Sequence, residues 1–156
     1  FIGACYGMRK DFINKLKKNG INVQCYGLGW SNGKISPEEQ IRIYNRSKIN
    51  LGIGGVGNSD KITCIKGRDM NVPCTGNVLL TMYDAELANL WHVGKEILCY
   101  LNDIDCADQI QYYLERPREL EKIGYMAREK ALKKHTWEKR MSELFYSLGI
   151  LQRKKY

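Results

Sequence analysis

Apolar residues along this chain recur at two spacings, and the switches between them mark out alternating strands and helices. Residues 1–5 read as a strand, and 8–18 as a helix with Phe12, Ile13 and Leu16 on one side. Asn19-Gly20 supplies a helix stop. Residues 21–26 form a second expected strand, running into Gly27-Leu28-Gly29-Trp30. Ser36-Pro37-Glu38-Glu39 starts a helix with two signals, a capping box and a proline in the first turn. That helix carries Ile41, Ile43 and Tyr44 and gives way near Ser47 to a strand at 48–53.

A short helix is expected at 62–70 and a strand at 77–82. A helical turn at 85–91, capped by Asp84, precedes a last short strand at 96–100. Beyond it the pattern is helical throughout. Ala107, Ile110 and Leu114 fall three and four apart. Pro117 then restarts a helix carrying Leu120, Ile123, Ala127 and Ala131. Thr136 is placed to cap a final helix, with Trp137, Met141, Leu144 and Leu148 expected on its buried side.

Strands alternating with helices through the first two thirds predict an α/β fold. It is a single doubly wound, Rossmann-like parallel sheet, followed by C-terminal helices. Connections in such a sheet are right-handed, and ligands bind beyond the carboxyl ends of the strands. The length of 156 residues fits one domain with a real core. The chain begins at Phe1 inside an expected strand, without an initiator Met or leader, so it reads as a piece of a longer protein.

The net charge of +8 introduces an anionic partner as a question. Much of the excess lies late, at Arg128, Lys130, Lys133, Lys134, Lys139, Arg140 and Arg153-Lys154-Lys155. Cations spaced along amphipathic helices most simply form a solvated face. A membrane surface or acidic partner is the next reading. Nucleic acid ranks last, because no interleaved aromatic and basic motif is present. No run of about 18 apolar residues spans a membrane. The six cysteines are scattered, without a C-x-x-C pair or a close His, so mostly buried, reduced core thiols are expected and no metal site. That favours a cytoplasmic protein, with peripheral membrane association as the variant.

Candidate chemistry gathers in four loops rich in Gly and small polar residues: 6–9, 27–33, 54–61 and 74–77. Glycine lets backbone N–H groups approach an anion, and Arg and Lys neutralise it. The densest stretch runs from residue 65 to 96. It joins Lys66 and Arg68 to the Pro73-Cys74-Thr75-Gly76-Asn77 turn and the apolar run 78–80, a plausible cradle for a phosphorylated ligand. Lys66 and Arg68, two apart, would not share a face of an ideal helix, but at a helix end they could converge on one diphosphate. Gly52-Ile53-Gly54-Gly55-Val56-Gly57 matches G-x-G-x-x-G. It follows the third strand rather than the first, however, and Asn58-Ser59-Asp60 delays the helix the dinucleotide fingerprint needs. His92 and His135 read as packing or capping residues.

The chain resembles the C-terminal half of GT-B glycosyltransferases, most closely the CgeB-like (spore-maturation-protein-like, glycosyl transferases group 1) domain. The likeness runs through Gly3 to Arg9, Gly27-Leu28-Gly29-Trp30 and residues 43–51. It continues through Lys66-Gly67-Arg68-Asp69, Cys74-Thr75-Gly76, Glu86-Leu87 and Gly94-Lys95-Glu96. It ends with residues 112–117 and 135–140. The resemblance implies a domain that binds a nucleoside-diphosphate sugar opposite an N-terminal acceptor domain absent from this chain. It also implies sugar transfer without metal or other cofactor, because cations and a helix N-terminus stabilise the departing diphosphate.

By position Arg9, Lys66 and Arg68 would face the diphosphate, with Lys66 and Arg68 stabilising the leaving group. The Gly29-Trp30 loop would neighbour the base, and Cys74, Thr75, Gly76 and Asn77 would offer backbone donors. Tyr6, Gly7, Ser59, Asp60 and Asn71 complete the expected donor set, and the final helix would pack toward the other domain. The family usually has Phe-Glu where this chain has Met70-Asn71, and the wider superfamily often has Glu where Thr63 stands. Asn71 donates and accepts hydrogen bonds but carries no charge. The alternative is therefore a catalytically inactive nucleotide- or partner-binding domain on the same fold, and the isolated chain is expected to be inactive.

Overall fold

The computed structural model describes residues 1–152, apart from the side chain of Asp60. The basic residues Arg153, Lys154 and Lys155 lie outside the described residues. A parallel three-stranded sheet forms the centre, in the order β1 (Asn50–Leu51), β4 (Leu79–Met82), β5 (Leu98–Tyr100). Its register pairs Leu51 with Leu80, Leu80 with Leu98 and Met82 with Tyr100. Residues 1–5 run parallel to 26–28 beside it. Gly3 N–H donates to the Tyr26 carbonyl at 2.8 Å, and Cys5 N–H to that of Leu28 at 2.7 Å.

Period-two alternation divides each strand between two cores. Leu51, Ile53, Val78, Leu80, Met82, Leu98 and Tyr100 face one core. It is closed by α1 (Arg9–Lys18), α5 (Asp103–Leu114) and α6 (Pro117–Lys130). Leu79, Ile97 and Cys99 face the other, closed by α2 (Pro37–Arg46), α3 (Gly67–Cys74) and α4 (Ala85–Leu90). Helices on both faces of a parallel sheet make this the expected doubly wound α/β arrangement.

The helix boundaries follow the capping chemistry. Ser36 Oγ accepts from Glu39 N–H at 3.2 Å ahead of α2, and Asp84 Oδ1 from Leu87 N–H at 3.0 Å ahead of α4. After α1, Gly20 adopts φ +78°, and Ile21 N–H reaches back to the Leu16 carbonyl at 3.1 Å. Gly124 lies inside α6 because a Cβ there would sit 2.2 Å from the Gly76 carbonyl oxygen.

Four expectations need correction. The strands expected at 1–5 and 21–26 reduce to a single parallel bridge between Ile2 and Tyr26. The helix expected at 62–70 forms later, as α3 from Gly67. Residues 55–63 instead make an antiparallel hairpin of β2 (Gly55–Val56) and β3 (Ser59–Thr63). Pro73 and Cys74, read as part of a turn, close α3. The final helix, α7 (Trp137–Ser147), has the expected Thr136 cap, bonded to Lys139 N–H at 3.3 Å, but buries none of its residues. Trp137 is 80% exposed and Leu148 62%. A π-helical turn, Ala131–His135, joins α6 to α7. No helix among the described residues is long and apolar enough to cross a membrane.

Candidate functional site

Three of the four loops meet at the carboxyl edge of the strands. A Cβ on Gly7 would lie 1.8 Å from the Gly57 carbonyl oxygen, so the loop before α1 rests directly on the hairpin tip. Gly7 has φ +57°, and Met8 N–H donates to that same Gly57 carbonyl at 3.2 Å. On the other side Gly29 packs against Cys5, where a Cβ would come within 3.0 Å of the Cys5 Cβ.

Arg9 and Arg68 meet around the ring of Phe1. The Arg9 guanidinium lies 5.6 Å from the Phe1 centroid and 4.0 Å from that of Tyr6, and the Arg68 guanidinium 4.9 Å from Phe1. Arg9 is buried at 4% exposure, and its Nη1 donates to the Ala4 carbonyl at 2.9 Å. Arg9 Nε and Arg68 Nη1 are buried without a hydrogen-bond partner among the described residues. Burial, the largest influence, holds Arg68 below its ordinary pKa; Asp69 opposes that shift and Arg9 adds to it. Two desolvated cations with N–H groups to spare form a site suited to a polyanion.

A buried carboxylate orients this corner. Asp69, 2% exposed, accepts the Lys66 backbone N–H through Oδ2 at 2.7 Å and the Thr81 hydroxyl through Oδ1 at 3.4 Å. Burial pushes its pKa up, against the pull of the Lys66 N–H and Arg68. Asp69 thereby fixes the start of α3, where Lys66 is the capping residue and Arg68 lies in the first turn. Sequence reasoning missed Asp69 as a positioning group. An acid three residues past the cap was the available signal.

The remaining expected residues divide. Lys66 stands at the same corner, its Nζ 2.6 Å from the Cys64 sulfur. Ser59 lies in the hairpin, but its Oγ already accepts from Lys61 and Ile62 N–H, each at 3.1 Å. Asp60 belongs to β3, with its side chain outside the described residues. Asn71 is exposed on α3, near Gly67. Trp30 is occupied structurally: its Nε1–H donates to the Gly3 carbonyl at 2.8 Å and its ring meets Phe1 edge-on.

Cys74, Thr75, Gly76 and Asn77 are not part of the corner. Cys74 ends α3 and the other three lead from it into β4, which places them at the amino edge of the sheet, opposite Arg68. There Asn77 Nδ2 donates to Asn45 Oδ1 at 2.8 Å, and Gly76 packs on α6. Thr63 is likewise committed, donating to Asp84 Oδ2 at 2.6 Å. This bond, the largest influence, holds the Asp84 carboxyl below its ordinary pKa. The G-x-G-x-x-G pattern runs into the hairpin, with no helix opening inside it.

The profile of the glycosyl transferase-like family matches residues 9–145, a span that holds every element from α1 to most of α7. The chain belongs to that family. Among solved structures, this glycosyl transferase-like chain is similar to sucrose-phosphate synthase from Thermosynechococcus elongatus, with a TM-score of 0.64 and 14% identity. The match covers 96% of this chain and 38% of that one. At this identity the likeness concerns the fold, which is similar to a GT-B glycosyltransferase domain. A search of curated proteins gives no match.

Proposed function

We propose that this glycosyl transferase-like chain is the donor-binding domain of a CgeB-like glycosyltransferase. It would hold a nucleoside-diphosphate sugar while the sugar passes to an acceptor bound by a separate N-terminal domain. The observation that carries this reading is the pairing of buried Arg9 with half-buried Arg68, each with a buried, unpartnered N–H at the carboxyl edge. In the proposed reaction Arg68 and Lys66, with the opening N–H groups of α3, stabilise the charge that grows on the departing diphosphate. Fixed cations in a desolvated corner do this without reorganising and without a metal ion. Arg9 holds the Tyr6 loop against the site, and the Gly29-Trp30 loop borders it.

Calorimetry with nucleoside diphosphates and nucleotide sugars tests the reading. Saturable binding that is lost on replacing Arg68 is the expected result, and absence of binding to any of them would sink it. A second reading, binding without turnover, is favoured by exposed Asn71 in place of a carboxylate and by Thr63 being tied to Asp84. Donor consumption by the protein together with its acceptor domain separates the two.

A further inference from the structure

Cys64 differs from the other cysteines. Among the described residues it is the exposed thiol, whereas Cys25 and Cys106 are buried and Cys5, Cys74 and Cys99 are partly covered. Burial raises the thiol pKa of Cys25, Cys74 and Cys106 and pushes that of Cys99 up to about 12, which suppresses their reactivity. Cys64 does not stand alone, for the Lys66 Nζ approaches its sulfur to 2.6 Å. Nucleophilic nitrogen and oxidisable sulfur are thus in contact, on a segment two residues apart that leads from β3 into α3. Cys64 N–H bonds the Gly54 carbonyl at 3.1 Å and Lys66 N–H bonds Asp69 at 2.7 Å, so both ends of the segment are anchored.

We infer that Cys64 and Lys66 form an oxidation-dependent cross-link site. A hydroperoxide is the oxidant. With hydrogen peroxide, the Cys64 sulfur attacks one oxygen, the oxygen–oxygen bond breaks, the sulfur becomes a sulfenic acid and the other oxygen leaves as water. The Lys66 ammonium gives up one proton to solvent, and the resulting amine attacks that sulfur. A nitrogen–sulfur bond forms, the sulfur–oxygen bond breaks, and the hydroxyl leaves as water with one amine proton. The sum is one thiol, one amine and one hydrogen peroxide giving one sulfenamide and two waters. The sulfenamide nitrogen is no longer a cation, and a thiol reductant restores both side chains. On the proposed function, the cross-link withdraws Lys66 from the diphosphate and closes the site reversibly.

The full chain is treated with hydrogen peroxide and its intact mass and peptide map are recorded. The expected product is lighter by two hydrogen atoms, with residues 64 and 66 joined, and dithiothreitol reverses it. Cys64→Ser and Lys66→Arg each abolish it. Circular dichroism confirms that both variants are folded, which their surface positions make the expected outcome. Oxygen adducts on Cys64 with Lys66 unmodified would overturn the proposal. So would the same mass loss persisting in Lys66→Arg, which would denote a disulfide. Pyrophosphate binding is measured in parallel. Loss in the oxidised wild type, with retention in peroxide-treated Cys64→Ser, links the cross-link to the site. Failure of untreated protein to bind pyrophosphate would count against the donor-site reading and leave the mass result to decide the cross-link.

Discussion

Gly52 opens the G-x-G-x-x-G pattern, and its replacement by Ala tests whether that glycine serves packing or phosphate. Gly52 N–H donates to the Leu80 carbonyl at 2.7 Å, and its carbonyl accepts the Tyr100 hydroxyl at 2.7 Å, so the backbone is held on both sides. A Cβ would fall 2.3 Å from Thr81 Oγ1, 2.6 Å from Thr81 Cβ and 3.3 Å from Asp69 Oδ1. Thr81 and Asp69 are 1% and 2% exposed and have nowhere to retreat. Overpacking of this kind costs about 1–3 kcal/mol. Displacing Thr81 also breaks its bond to the Asp69 carboxylate, which at 3.4 Å adds about 1 kcal/mol. Stiffening of the unfolded chain offsets about 0.4–1 kcal/mol.

The expected net destabilisation is about 2–3 kcal/mol, read as a lower urea midpoint at an unchanged slope. Combining Gly52→Ala with Thr81→Gly should recover about 1–2 kcal/mol of coupling, because the two sites share one contact. Combining it with Thr81→Ala should recover less, since the offending Cβ remains. A Gly52→Ala change within about 0.5 kcal/mol, the range of an ordinary surface substitution, would refute the packing argument.

Arg68→Ala should weaken nucleoside-diphosphate binding by about 1.5–3 kcal/mol, the range for a hydrogen bond to a charged group, measured by calorimetry. Gly7→Ala should destabilise the chain by more than the ~1–2 kcal/mol of a left-handed Ala, because its Cβ also meets the Gly57 carbonyl. Faster hydrogen exchange in the hairpin would locate the damage. Asp69 has a raised folded pKa, so between its ordinary value of 3.8 and that raised value the folded state binds more protons than the unfolded. Stability must fall as pH rises through that window. Asp69→Asn should flatten this fall in urea titrations at several pH values, whereas Asp69→Ala should destabilise at every pH by orphaning the Lys66 N–H. Asp84 has the opposite sign. Its depressed pKa gives stability that is present above 3.8 and lost as pH falls through the folded value, and Asp84→Ala should remove that dependence along with about 0.5–2 kcal/mol of capping.

The doubly wound sheet was readable because the continuous apolar runs 78–80 and 97–100 mark strands covered on both faces, and helical spacing in α1, α5 and α6 records which side of each helix is buried. The hairpin was not, since Gly54, Gly55 and Gly57 offer no alternating side chains from which to infer a strand. The start of α3 was misplaced because Lys66 is an uncharacteristic cap and the group that fixes it is Asp69, three residues later. The position of 74–77 was recoverable in principle. A segment between a helix and the next parallel strand must lie at the amino edge, so those residues could not share an edge with Arg68. The exposure of α7 was not legible, because an apolar stripe reports that a face wants cover and not which body supplies it. The pairing of Arg9 with Arg68 depends on the close approach of residues 1–5 to α3, a tertiary contact with no local signature.

The sheet that separates the two cores also separates the chain's fluorophores. Trp30 packs against the core under α1 and α5, Trp91 lies within the core under α3 and α4, and Trp137 stands in solvent. Three variants, each retaining one indole, would therefore watch one side of the wall, the other side, and the terminal helix during the same denaturation. Coincident curves from the first two would mean that the layers melt as one cooperative unit, and a gap between them would reveal a half-dissolved domain. Emission from Trp137 should start red-shifted and change little, serving as an internal baseline for the other two.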